Sequence, residues 1–452
     1  MNSEIKVYTR ENGEVQRVQV VRFDDWAQLD FLCPKQEGFK HQLNALACFY
    51  DIYKNYLIPA CPWIFPQMVM FSLPEELETS LVYESKKYGK VSDKLIAASI
   101  MLEEGVKLRS GKPCFSTAST EALWNELEAR GCIRIVCGKF PSTKIIPVGN
   151  SAGYMSECET DAAMKVNANF FIMDPFDCAT IYDQVGTPFG LCLKDGVVLY
   201  PPLYDREALL VEKDGLAYIL NKNVSELFIE IGGKIYIPGK NATIYTRPKQ
   251  AKTLETQGVN LVIIGRRVAA VKKGGRVDIP ASGFVMQVHK GCKVAPGDEV
   301  TYHGLKDVQF GIQVGNSIIR KGVITDKFIS RFYNIYHLER VPFPPSLYPM
   351  NFEKARAARI ALGADKEGKP VVYWAEGRGK LSYVVGEDST GASLNEMAEI
   401  AVDLGLRNAI NLDGGGSAQI LLKNERSLRI SDRKKEDNSD AERLVPMGLI
   451  IK

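Results

Sequence analysis

Only 4 histidines occur in the 452 residues, His41, His289, His303 and His337. That scarcity argues against a histidine-based zinc centre. Ten cysteines are present, yet none stands in a CxxC pair and none lies beyond Cys292, so the spacing of a structural zinc site is missing as well. Scattered cysteines in a chain this long point to buried thiols in a reducing compartment rather than to a disulfide framework. No apolar run reaches the length of a membrane span. The opening MNSEIKVYTRENGEVQ is polar and has no signal-peptide core, so a cytoplasmic protein is expected, with a trimmed export signal as the alternative. Excess charge is missing too. The 57 basic and 54 acidic residues leave a net charge of +3, which gives neither nucleic acid nor an anionic membrane an electrostatic hold on the surface.

What is present divides in two. Residues 1–131 read as a helix-containing N-terminal α/β module. VQRVQVVRF has the texture of a strand, while FKHQLNALACFYDIYKNYL, DKLIAASIMLEEGVKL and STEALWNELEARG carry apolar residues at helical spacing. From about residue 132 short β-rich runs with Gly and Pro turns take over, among them MKVNANFFIM, NLVIIGRRVAAV, GFVMQVHKG and PVVYWAEGRG. Helices are expected again at 350–361 and 393–404. The second of these has Ser393 as N-cap with Glu396 three residues on, a capping box, and Gly405 as its stop. The fold class expected is α+β, with a mixed sheet at the centre of a domain spanning 132–452.

Three constellations carry chemistry. NAINLDGGGSAQILL places Asp413 after an apolar strand and before Gly414, Gly415, Gly416 and Ser417. Glycines there let backbone N–H groups approach a ligand. A tight hairpin turn is the plain alternative, since Asp-Gly is a common hairpin signal. VNANFF would put Asn167 and Asn169 on one strand face, suited to hydroxyl recognition, or would simply hold turn asparagines. ARAARIALG and AEGRGK supply Arg356, Arg359, Glu376 and Arg378, and a guanidinium fork suits phosphate oxygens as well as it suits surface ion pairs. His289 closes the GFVMQVHKG strand and is as easily structural as functional.

In order along the chain, VNANFF, GTPFGLCLKDG, IPASGFVMQVHKG, VAPGDEV, RIALG, AEGRG, SLNEMAEIAVDLGLRNAINLDGGGSAQ and ERLVPMGLII resemble the phosphodiester glycosidase family, over roughly residues 132–452. The chain departs from it in having Asn169 where the family has a small residue, and Glu376-Gly377-Arg378 where it has Asp-Gly-Arg. The resemblance implies hydrolysis of the bond between a sugar's anomeric carbon and a phosphodiester oxygen. It implies catalytic roles for Asp413, Glu376 and Arg378. Substrate binding would fall to Asn167, Asn169, Arg359, Gly414, Gly415, Gly416, Ser417, His289 and Arg443. The substrate would be a sugar phosphodiester or a nucleotide-linked sugar, and a divalent cation is compatible with the chemistry without being required. Two other classes compete: a catalytically silent binder of glycans or nucleotides, and a phage or cell-surface structural component. Turnover of an aryl sugar phosphodiester separates the first from these.

Overall fold

The computed structural model describes residues 1–32, 154–158, 160–172, 180, 187–203, 206–247, 249–289, 292–325, 355–379, 383–434, 437–443 and 445–452, together with the backbone of five short strands between 68 and 147. The three N-terminal helices expected from the sequence lie outside the described residues.

The site is organised by two sheets. The first contains β1 (Asn2–Thr9), β2 (Val15–Arg22), β5 (Ser317–Arg320), β6 (Val323–Ile324), β7 (Arg359–Asp365), β8 (Pro370–Ala375) and β9 (Leu406–Asn411), in the spatial order β1-β2-β8-β7-β9-β5-β6. The second contains β3 (Leu29–Leu32), β4 (Met164–Asn167), β10 (Ile420–Leu422) and β11 (Gly448–Ile451), in the order β10-β4-β11-β3. Three further sheets, of five, three and four strands between Cys192 and Ile312, complete the main body. Every strand pair in these sheets is antiparallel, where a mixed sheet was expected.

Burial explains the strands. β7 and β8 are buried along nearly their whole length, as central strands covered on both faces must be. Ile360, Leu362, Val372, Trp374, Ile410 and Leu412 face the large core shared with the three further sheets, while Ala361, Tyr373, Ala375 and Ala409 face α1 (Leu394–Asp403). The period-two alternation of β7, β8 and β9 therefore assigns each side chain to one layer. α1 is the one α-helix among the described residues. Its capping box forms as the sequence indicates: the Glu396 amide donates to Ser393 Oγ at 3.2 Å and the Ser393 amide to Glu396 Oε2 at 2.8 Å. Leu394, Met397, Ala398, Ile400 and Ala401 form its buried face.

Two expectations change. Residues 355–358 are not helical and Arg359 opens β7, so the helix expected at 350–361 does not occur over its described part. The alanine-rich run has helical propensity, but strand partners on both sides outweigh it. The N-terminal strands are also built into the C-terminal sheets. β2 pairs with β8, Val18 opposite Ala375, and β3 pairs with β11, Leu29 opposite Ile451. The expected division at 131/132 therefore does not run between these strands and the rest.

Candidate active site

β9 ends at Asn411, and Asp413 follows two residues later. The strand does not turn back on a neighbour. The glycine run carries the chain across to β10 in the other sheet, where it pairs with β4. DGGGS is thus a crossing between sheets and not a hairpin turn. Gly415 adopts φ +60°, in the left-handed region, and residues Gly415–Ser417 form one 3-10 turn. Gly414 and Gly416 are needed for a different reason. A Cβ on Gly414 would stand 2.7 Å from the Ala358 carbonyl oxygen, and one on Gly416 would collide with Asp432 and Arg443.

Neighbouring strands fix the loop. The Asp413 amide donates to Ala168 O at 2.9 Å, and the Gly415 amide to Ala358 O at 2.8 Å. Asn167, at the end of β4, donates Nδ2 to Asp413 O at 2.8 Å and accepts the Gln419 amide on Oδ1 at 3.0 Å. Asn167 therefore clamps both ends of the crossing with its side chain. Asn169 lies beyond the end of β4. Its amide donates to Phe189 O at 3.1 Å, and its Oδ1 receives Cys192 Sγ at 3.4 Å, which makes it a tied residue of the core.

The ladder between β7 and β9 sets Ala361 opposite Asn411. One pair further on the same face are Arg359 and Asp413. Arg359 is 5% exposed and Asp413 8% exposed. Arg359 donates Nε to Ala392 O at 3.3 Å and Nη2 to Ala355 O at 3.2 Å. Burial lowers its pKa to about 10, with the charge of Asp413 opposing the fall. Burial raises Asp413 to about 6, against the Ser417 hydroxyl, the charge of Arg443, the Gly414 amide and the charge of Arg359. The Gly414 amide sits 2.9 Å from Asp413 Oδ1. Ser417 Oγ is buried without a hydrogen bond of good geometry, yet it stays close enough to Asp413 to favour the carboxylate. The result is a desolvated acid whose proton equilibrium lies near neutrality, a property that suits groups handling protons or developing charge.

The remaining expected residues are placed differently. Glu376, 7% exposed, accepts the Arg429 amide on Oε1 at 2.8 Å and Arg17 Nη1 on Oε2 at 3.4 Å. Both its oxygens are engaged in holding the 428–433 segment and β2. Arg378 is exposed, its guanidinium 4.3 Å from the centre of the Tyr383 ring. Arg356 pairs with Glu396 and Glu14 at the start of α1. His289 is exposed at the end of strand Gly283–Val288 in another sheet.

Two groups escaped the sequence reading. Asp432 bonds Arg443 Nη2 at 2.7 Å directly beside Gly416. Asn411, fully buried two residues before Asp413, leaves both side-chain heteroatoms without partners. Ser431 Oγ, next to Gly377, is a third buried orphan around the loop. Such groups are costly when unsatisfied, at about 1–3 kcal/mol each. The only available signal for Asn411 was its place in the NLDGGGS block, and for Asp432 there was none. Among the described residues no cluster of three or more His, Cys, Asp or Glu side chains could hold a metal ion. Among the described residues, Cys158, Cys192 and Cys292 form no disulfide.

Residues 239–452 match the family described as phosphodiester glycosidase. The mouse and human N-acetylglucosamine-1-phosphodiester alpha-N-acetylglucosaminidases are each 39% identical over 71 residues, covering 16% of this chain and 12% of their own length. Two solved structures are also similar. The zebrafish N-acetylglucosamine-1-phosphodiester alpha-N-acetylglucosaminidase catalytic domain, auto-inhibited by its pro-peptide, is 13% identical, with a TM-score of 0.39 and coverage of 100% of this chain and 82% of its own. A hypothetical protein from Synechocystis is 19% identical, with a TM-score of 0.39 and coverage of 67% and 54%. At these scores neither structure bears on function. Over residues 239–452, which hold NLDGGGS and the motifs from IPASGFVMQVHKG onward, this chain is similar to the phosphodiester glycosidases, while VNANFF and GTPFGLCLKDG lie outside the match.

Proposed function

We propose that the protein hydrolyses a sugar-1-phosphodiester, cleaving between the anomeric carbon and the phosphodiester oxygen. The observation that carries this reading is Asp413, a buried carboxyl flanked by the charges of Arg359 and Arg443 at a loop of three glycines. Glycosyl transfer builds positive charge at the anomeric carbon and negative charge on the departing oxygen. A carboxylate at Asp413 meets the first. Guanidinium groups and loop amides meet the second. Phosphate departs with a low proton affinity, so the site can work without the strong general acid of ordinary glycosidases.

Glu376 then serves by fixing the 428–433 segment, and Asn167 by clamping the loop. Neither needs to touch the substrate. The substrate class is a glycosyl phosphodiester or a nucleotide-linked sugar.

A panel of glycosyl phosphodiesters, nucleotide-sugars and an aryl sugar phosphodiester, followed by chromatographic detection of free sugar, tests the reading. Free sugar should appear with the parent protein and fall on the order of a hundredfold or more with Asp413→Asn. No turnover across the panel, or equal turnover by the variant, would sink it.

A further inference from the structure

We propose that Asp432 is a positioning residue that holds Arg443 over the glycine loop, where its guanidinium meets the phosphate of a substrate bound at Asp413. The inference rests on the phosphodiester reading above.

Three observations converge on the pair. The first is contact: Arg443 Nη2 lies 2.7 Å from Asp432 Oδ2. The second is the backbone beneath it. The ideal Cβ position of Gly416 falls within clashing distance of both Asp432 Oδ2 and Arg443 Nη2, so the ion pair rests directly on the loop and excludes any side chain there. Requiring glycine at the third position of GGG follows from this pair and from nothing in the turn itself. The third is exposure. Arg359 is buried and donates to two backbone carbonyls, whereas the Arg443 side chain keeps 30% of its accessible surface and that of Asp432 keeps 17%. Of the two guanidinium groups whose charge reaches Asp413, Arg443 is the one a ligand can approach.

An arginine on a short irregular segment has many rotamers, and a carboxylate bonded to one of its Nη atoms favours the few that keep that contact. Asp432 is itself held: its backbone carbonyl accepts the Ala441 amide at 3.0 Å, and the Arg429 amide three residues earlier is anchored on Glu376 Oε1. A chain of fixed positions therefore runs from β8 through Glu376 to Asp432 and Arg443. The guanidinium is preorganised for an anion before one arrives.

Asp432→Asn keeps the shape of the side chain and removes its charge. Its KM for the phosphodiester should rise about tenfold with a smaller change in kcat, since the defect lies in holding the anion. Competitive inhibition by inorganic phosphate should weaken by a similar factor. Arg443→Met should show the same pattern more strongly. The double variant should be no worse than Arg443→Met alone, because the pair acts as one unit. Asp432→Glu should recover part of the loss, and it carries the test if the Asn variant does not fold. Unchanged KM and phosphate inhibition in Asp432→Asn, or effects that add in the double variant, overturn the proposal. If the parent turns over no phosphodiester, the function reading falls. Direct calorimetric titration with inorganic phosphate then decides on Asp432: weaker binding by Asp432→Asn than by parent supports it, and equal binding refutes it.

Discussion

Asp413→Asn should make the protein more stable at alkaline pH while destroying its activity. The acid is 8% exposed, and burial lifts its pKa from the usual carboxylate value to about 6. A raised pKa means that the folded state holds the proton more tightly than the unfolded chain does. The associated stability is fully present below the unfolded pKa of about 4 and is lost as pH rises through 6. Two pK units correspond to about 3 kcal/mol at pH 8, and the penalty shrinks to about 1 kcal/mol at pH 4.5. Asparagine never ionises, and its Oδ1 can still accept the Gly414 amide that Asp413 accepts. Urea denaturation of parent and variant at both pH values, with unchanged m-values, reads the difference directly. The variant should gain up to about 3 kcal/mol at pH 8 and much less at pH 4.5. A variant less stable than the parent at pH 8, or a gap that does not change with pH, would refute the reasoning. A functional acid held at a cost to the fold is a common form of the trade between stability and activity.

Two more outcomes follow from the same geometry. If ionised Asp413 is the working form, kcat/KM should fall with unit slope below about pH 6, and a profile flat to pH 4.5 would remove Asp413 from the rate-determining protonation. The three glycines should also separate by mechanism. Gly415→Ala meets open space and costs only the left-handed backbone, about 1–2 kcal/mol, whereas Gly416→Ala must displace Asp432 and Arg443 and should lose substrate affinity as well. Equal denaturation midpoints and equal KM values for the two variants would contradict that separation.

Local patterns were legible because they are enforced locally. The capping box of Ser393 and Glu396, the apolar stripe of α1 and the strands around Val18, Val166 and Val372 all needed only neighbours in the chain. Asp413 drew attention because three glycines follow it directly. What failed was partnership. Asn169, Glu376 and Arg356 are residue types that bind substrates, but here they are engaged by groups 20 or more positions away in the chain. Asp432 stands in the polar run SDRKKEDNSD, and only the folded chain brings it to Gly416. Arg359 read as helical because alanines surround it, and the register with β8 and β9 decided otherwise.

The pairing of β2 with β8 has a consequence for how the chain is made. Val18 and Ala375 are neighbours in the sheet although roughly 350 residues of synthesis separate them. At translation rates of about 5–20 residues per second, the first hairpin waits on the order of 20–70 s for its partner to leave the ribosome. β3 waits longer still, since β11 ends at Ile451. During that interval β2 has an open edge and the buried valines Val18, Val20 and Val21 have no core to join. The glycine crossing depends on β4, β7 and β9 together, so it too becomes whole only after strands nearly 250 residues apart have met.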